Sequence, residues 1–562
     1  MGTIVLEQTE PIYAWRAPIL RRLLVLLFLS AGVAAQSIPD SARALTEAET
    51  IFADLADAHY VVGAIDSGLF ATYRGKDRSA WQQIASDRQK ELLSRLAAIT
   101  PSTLSPVDQR ALSRMRAELN YFADSGLSST ASNPNHCRDA SQPNLGYDSL
   151  RMSLYSCFGE IAEHLRFEGK EVNRIAALGL LTKLPESARR KKLFLSFVPL
   201  WKSINADDST ASPYRRLVAL SAAESRAHGS RIDAAAKTLG VDSAQVESWL
   251  EQVLNAWRAA TPADPVEPWD YHFTYSAADR QLNSAVPLNS LQTISEHFYR
   301  DLGADLTQLG VLSDTGVRPG KAPLAYTDFV TVGRTIDGTW HPSIARVSAN
   351  NAHGGLGVLN ELVHEYGHAV HMSALHTRPA FMDTGDDLFT EAFADVSSWE
   401  TYDPAWQEKY LGKSAPLAPS LQSLYSSVIL DVAWGLFELR MVREPKSDPN
   451  AVWTEITSHY LHIRPHPELS WWALRVQLVH LPGYMINYGL GAVLTADLRA
   501  HTEASIGPFH TGNPRWYPWL SENLLHFGTE RDTSDLLRAF LGRPVSPDAL
   551  LADLRRLSTK PM

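Results

Sequence analysis

Two histidines four residues apart, His364 and His368, stand in the run Leu362-Val363-His364-Glu365-Tyr366-Gly367-His368-Ala369-Val370-His371. On a helix, positions i and i+4 share a face, so both imidazoles can reach one cation. Glu365 lies beside that face, where it can take a proton from water without becoming a ligand. A catalytic zinc keeps three protein ligands and one open position, so a third ligand must come from elsewhere. A Gly at 371 and a His at 374 would supply it locally, but the chain has His371 and Ala374. Leu388-Phe389-Thr390-Glu391-Ala392-Phe393-Ala394-Asp395 offers Glu391 instead, 23 residues beyond His368. Asp395 follows one turn later, spaced to accept a ring N–H from a ligand histidine and fix its tautomer. His371 shares the side of the first helix that carries His368. It reads as a further supporting residue or as a packed histidine bonded to a neighbour.

A second cluster is His480-Leu481-Pro482-Gly483-Tyr484-Met485-Ile486-Asn487-Tyr488. Peptide hydrolysis by metal-activated water builds charge on the former carbonyl oxygen, and hydroxyl or imidazole donors can share it. His480, Tyr484 and Tyr488 recur every four residues and suit that task, although two tyrosines on an apolar helix also serve a core.

Most of the chain that must position these groups reads helical. The 3.6-residue rhythm runs over 41–64, 77–99, 105–124, 149–167, 213–227, 230–239 and 242–260. Runs 328–334 and 344–349 are β-prone and flank Asp337-Gly338, a turn pair, so a small sheet is expected just before the metal helix. His353-Gly354-Gly355-Leu356-Gly357 lacks the Lys-Ser/Thr ending of a phosphate loop and reads as a flexible bridge from strand to helix. Pro262, Pro265 and Pro268 mark a domain boundary, giving an N-terminal helical domain at 36–260 and a catalytic domain at 261–562.

At 562 residues the chain is too long for one compact core. Its 45% hydrophobic and 20% charged residues are ordinary for a globular protein. The net charge of −10 argues against a nucleic-acid partner, which usually demands a basic face. Arg21 and Arg22 precede the apolar run Leu23 to Leu29, with Val33 and Ala35 placed for cleavage. That pattern reads as a secretory signal over 1–35, too short to span a bilayer of about 30 Å. The mature chain is then secreted or periplasmic, with no stable membrane insertion. In an oxidising compartment Cys137 and Cys157, the two cysteines of the chain, are expected to pair.

These motifs resemble the thimet oligopeptidase family of zinc metallopeptidases, which includes oligopeptidase A and bacterial dipeptidyl carboxypeptidase. The likeness rests on His364 to His371, on Phe389-Thr390-Glu391-Ala392, on Trp269-Asp270-Tyr271, and on Phe540-Leu541-Gly542-Arg543-Pro544. Glu391-Ala392-Phe393-Ala394-Asp395 also resembles the Glu-x-x-x-Asp of the angiotensin-converting enzyme family. Gly491 stands where the first family usually has another tyrosine.

The resemblance implies a mainly α, two-lobed metallopeptidase with a deep substrate channel and a small sheet next to the zinc helix. It implies one Zn2+ per chain on His364, His368 and Glu391, with Glu365 as base. His480, Tyr484 and Tyr488 become donors to substrate or oxyanion, and the substrates are short, unfolded peptides. In such peptidases the strand before the zinc helix borders the cleft, so Ser348, Ala349 and Asn350 are expected to offer a free backbone edge to an extended peptide. Two rivals remain. A peptidyl-dipeptidase would need a channel cation to catch the terminal carboxylate, with Arg475 and Arg346 as candidates. A catalytically silent peptide-binding protein would usually have lost a ligand or the base, and this chain keeps all four.

Overall fold

The computed structural model describes residues 40–124, 137, 140, 142, 144–206, 211–318, 321 and 325–557. The signal expected at 1–35 lies outside the described residues.

Polar caps start the helices where the apolar rhythm begins. Asp77 accepts the Ala80 N–H at 2.9 Å ahead of Arg78–Ala98, and Asp242 with Gln245 forms a capping box ahead of Ser243–Ala260. Asp40–Asp66, Arg78–Ala98 and Pro106–Asp124 pack around Leu45, Leu55, Leu92 and Met115, a core that also takes in Val330 and Phe381. A larger core draws on residues from both sides of position 260, including Leu154, Trp257, Leu362, Leu490 and Leu550. Among the described residues no helix is long and apolar enough to cross a membrane. Cys137 and Cys157 are bonded, which ties the middle of helix Tyr147–Glu163 to Cys137.

The helical run expected to reach 167 stops at Glu163. Glu168 and Gly169 both have positive φ, and this two-residue turn pairs Leu165–Phe167 with Lys170–Val172. The small sheet before the metal helix is present, in the order Leu312–Asp314, Ile344–Ser348, Tyr326–Thr331. Asp337-Gly338 closes a separate hairpin, Arg334–Ile336 with Thr339–His341, because both turn residues have positive φ.

That topology corrects the expected substrate strand. Ile344–Ser348 is the middle strand, and Ser348 pairs with Asp314 on one side and Tyr326 on the other. The Ala349 N–H donates to the Asp314 carbonyl at 2.9 Å, and the Ala349 carbonyl accepts from Lys321 Nζ at 2.8 Å. Asn350 accepts from the Arg318 N–H at 3.3 Å and donates to the Lys321 carbonyl at 2.9 Å. Ser348 and Ala349 therefore have no free edge, and Asn350 is anchored through its side-chain amide. Tyr326–Thr331 borders the sheet instead.

The bridge into the metal helix, Leu356–Ala374, is seated rather than loose. The Gly355 N–H donates to the Val286 carbonyl at 2.9 Å, and a Cβ on Gly354 would come within 2.1 Å of that oxygen.

Candidate metal centre

The metal helix crosses a second helix, Asp387–Ser398, at a point set by Gly367. A Cβ at Gly367 would lie 2.9 Å from Ala394 Cα, so only glycine admits this approach. The Tyr299 hydroxyl donates to the Val363 carbonyl at 2.7 Å and sits 2.7 Å from Ser397 Oγ, joining the two helices from the side. This crossing carries Glu391 to the two histidines.

His364 Nε2 and His368 Nε2 lie 3.1 Å apart, and Glu391 Oε2 is 3.5 Å from His364 Nε2. The ligand atoms of His364, His368 and Glu391 all fall within 4.8 Å of one another. His364 Nδ1 meets Asp395 Oδ1 at 2.7 Å, and Ser398 Oγ donates to the same oxygen at 3.0 Å. Bonding Nδ1 to a carboxylate turns Nε2 toward the cluster, where it would offer its lone pair once a cation takes the place of its proton. Burial disfavours charge on His364, but Asp395 and Glu391 outweigh it and raise its pKa well above the usual value. Burial, then the charge of His364, pulls His368 down to about 4. Burial pushes the Glu391 carboxyl up, yet hydrogen bonding to His364 outweighs it and holds Glu391 below its usual value. A pocket that favours positive charge between two imidazoles and an ionised carboxylate fits a divalent cation.

Glu365 is 8% exposed and accepts from Thr327 Oγ1 at 2.7 Å. Burial pushes its carboxyl up to about 7, against the pull of His364 and Thr327. His371 packs edge-on to Phe389 and Phe393, with ring centroids at 5.4 and 5.2 Å. Its Nδ1 has no hydrogen-bond partner among the described residues, so it stands as a packed ring rather than a bonded one.

Tyr484 and Tyr488 lie with ring centroids 5.6 Å apart. Burial is the main cause of both raised hydroxyl pKa values, and the Glu391 charge adds to each, so both hydroxyls lie within electrostatic reach of Glu391. His480 stacks on Tyr155 at 4.1 Å, and its carbonyl accepts from Arg151 at 2.8 Å. Arg346 is committed to the sheet: it is 2% exposed, pairs with Asp328 at 3.2 Å and lies over Tyr326. Arg475 pairs with Asp431 but stays 27% exposed.

Sequence reasoning missed Thr327 and Tyr299. Thr327 sits 38 residues before Glu365 on a strand, and nothing in its local sequence announces that contact. Tyr299 lies in an ordinary amphipathic helix, Leu291–Asp301.

Fold and site together define a mainly helical protein with a two-histidine, one-glutamate cation site on crossed helices. No family model matches the chain, and no curated protein matches it. Solved structures do. Metallocarboxypeptidase 1 of Trypanosoma cruzi is 13% identical with a TM-score of 0.51, covering 92% of this chain and 100% of its own. The M32 carboxypeptidase of Deinococcus radiodurans R1 is 16% identical with a TM-score of 0.49, covering 92% and 98%. At 13% identity the likeness to the Trypanosoma cruzi enzyme is one of fold.

Proposed function

We propose that this protein is a zinc-dependent peptidase acting on short, unfolded peptides. The observation that carries the reading is Glu365, buried and bonded to Thr327 at 2.7 Å, beside the cluster of His364, His368 and Glu391. The fold shared with a metallocarboxypeptidase supports it, and so do the motif residues that resemble the thimet oligopeptidase and converting-enzyme families. All these groups fall in 261–562, which is read as the catalytic domain. His364, His368 and Glu391 would hold the zinc, with Asp395 fixing the His364 ring. Bound there, zinc would supply Lewis acidity toward a peptide carbonyl and a water.

The chain's own residues do the rest. Glu365, with a pKa near 7, accepts a proton from water as the water oxygen bonds to the peptide carbon. As the C–N bond breaks, Glu365 returns that proton to the departing amine. Tyr484 and Tyr488 keep their protons, since burial and Glu391 hold both hydroxyls above the usual tyrosine value, so each can donate to the carbonyl oxygen as it gains charge. Export is part of the proposal: the bonded Cys137–Cys157 pair and the leader-like segment 1–35 support a secreted or periplasmic setting.

Digestion of an unbiased peptide mixture by zinc-loaded protein, with products read by mass spectrometry, tests the reading. New peptide termini that vanish with a chelator and in Glu365→Gln are expected. A zinc-loaded protein that cleaves nothing in the mixture overturns it.

A further inference from the structure

Among the described residues, Thr327 is the one side chain that hydrogen-bonds Glu365, and it reaches that residue twice. Thr327 Oγ1 lies 2.7 Å from Glu365 Oε2 and 2.9 Å from the Glu365 main-chain oxygen. A threonine hydroxyl has a single proton to donate and lone pairs with which to accept. It donates to one of these oxygens at a time, while the other stands at bonding distance.

The fold holds this hydroxyl in place. Thr327 lies on strand Tyr326–Thr331, opposite Val347 in the antiparallel register. Successive side chains on a strand point to opposite faces. Arg346 pairs with Asp328 and covers Tyr326, so those two share its face. Thr327 points the other way, onto the metal helix, and its branched Cβ leaves few side-chain rotamers. The Glu365 carbonyl belongs to the interior of helix Leu356–Ala374. A carbonyl oxygen has a second lone pair beyond the one used along the helix, so it accepts the hydroxyl without breaking the helix.

A base that works as Glu365 does in the peptidase reading above alternates between carboxylate and carboxylic acid in every turnover. The carboxylate needs donors only, whereas the acid also needs an acceptor for its own O–H. A fixed donor such as a backbone N–H serves the first form alone. The Thr327 hydroxyl serves both by turning about its C–O bond. With Glu365 ionised, it donates to Oε2. With the proton on Oε1, it still donates to Oε2. With the proton on Oε2, the carboxyl donates to Oγ1 and the hydroxyl turns to the Glu365 carbonyl. We propose that Thr327 is the positioning residue of the base, a hydroxyl rotor that holds the Glu365 carboxyl in one orientation through both halves of the cycle. The proton that Glu365 takes from water leaves on the departing amine, and Thr327 keeps its own. This rests on the peptidase reading and adds to it how the base stays aligned.

Two variants test the rotor. Thr327→Val keeps the branched shape and the strand preference but has no hydroxyl, and Thr327→Ser keeps the hydroxyl. In peptide assays of zinc-loaded protein, Thr327→Val should lose about tenfold or more in kcat, with KM and zinc content unchanged. Thr327→Ser should restore most of that loss. A Thr327→Val protein that turns over as fast as its parent overturns the rotor, and so does one whose defect lies in KM or in zinc content. A Thr327→Ser protein no better than Thr327→Val also overturns it. Should Thr327→Val not fold, Thr327→Ala carries the same expectations. Crystal structures of the zinc-loaded proteins give a second reading that needs no turnover. The Glu365 carboxyl should occupy one conformer in the parent and in Thr327→Ser, and more than one in Thr327→Val. A single, unshifted conformer in Thr327→Val overturns the proposal. A parent protein that cleaves no peptide removes the peptidase reading alone, because the crystal comparison still decides whether Thr327 holds the carboxyl.

Discussion

The metal cluster and the tyrosine-arginine region beside it are built in different ways. In the first, three of the groups already have a partner: His364 on Asp395, Asp395 on Ser398, Glu365 on Thr327. In the second, the Tyr484 hydroxyl has no hydrogen-bond partner among the described residues, Tyr488 has one long one, and Arg475 Nε has none. One region is fixed before any ligand arrives, and fixed groups act without reorganising. The other keeps donors and charge in reserve, as a surface that recognises a passing substrate must.

The sharpest way to break this contrast is to attack the prearranged side. Glu391→Gln removes the anionic ligand, so zinc content and turnover should both fall to the level of metal-free protein, as read by metal analysis and peptide assay. Full occupancy with normal turnover would mean that Glu391 is not a ligand. Glu365→Gln should instead keep its zinc and lose about 10²-fold or more in turnover. Loss of metal along with activity would show that Glu365 has been given the wrong role. Asp395→Asn leaves the ligands in place but frees the His364 ring, so competition with a chelator should report zinc affinity weaker by about 10- to 100-fold.

Two glycines sharpen the comparison at smaller scale. Gly367→Ala puts a methyl 2.9 Å from Ala394 Cα and should cost about 1–3 kcal/mol in thermal or denaturant unfolding. Gly491, in helix Met485–Ile506 near the tyrosines, has its closest neighbour at 4.0 Å. Gly491→Ala should be neutral or stabilising by up to about 1 kcal/mol, the ordinary helix preference. A Gly367→Ala protein as stable as its parent would show that the crossing tolerates slack.

A pH-dependent test concerns Glu438, which bonds the backbone of Met485, the neighbour of Tyr484. It is 2% exposed and accepts the Met485 N–H at 2.7 Å. Burial pushes its carboxyl from 4.5 up to about 8, although the Gly483 and Met485 N–H groups and Arg231 pull the other way. Because folding raises this pKa, the protonated carboxyl stabilises the fold fully below 4.5, and that contribution is lost as pH rises through about 8. Glu438→Gln should flatten the fall of melting temperature across that range. An unchanged slope would assign the pH dependence to other groups.

The same contrast explains what the sequence disclosed. His364, His368 and Glu391 were legible because helix periodicity alone puts the histidines together and a second acidic motif follows at short range. Helix positions were legible for a related reason: caps and apolar rhythm are local properties. The order of the three-stranded sheet was not, since Leu312–Asp314 is a three-residue strand with no pattern of its own, and it covers the edge expected to be free. Thr327 and Tyr299 were illegible because their importance comes from partners 38 and 64 residues away.

One feature of the crossing bears on time rather than affinity. Tyr299 is fully buried and bonds both metal-bearing helices at once, while Gly367 leaves no gap between them. Those helices cannot drift apart by small steps, so they separate only when the crossing opens locally. Amide hydrogens on the two sides of the crossing should then exchange with solvent at one common, slow rate.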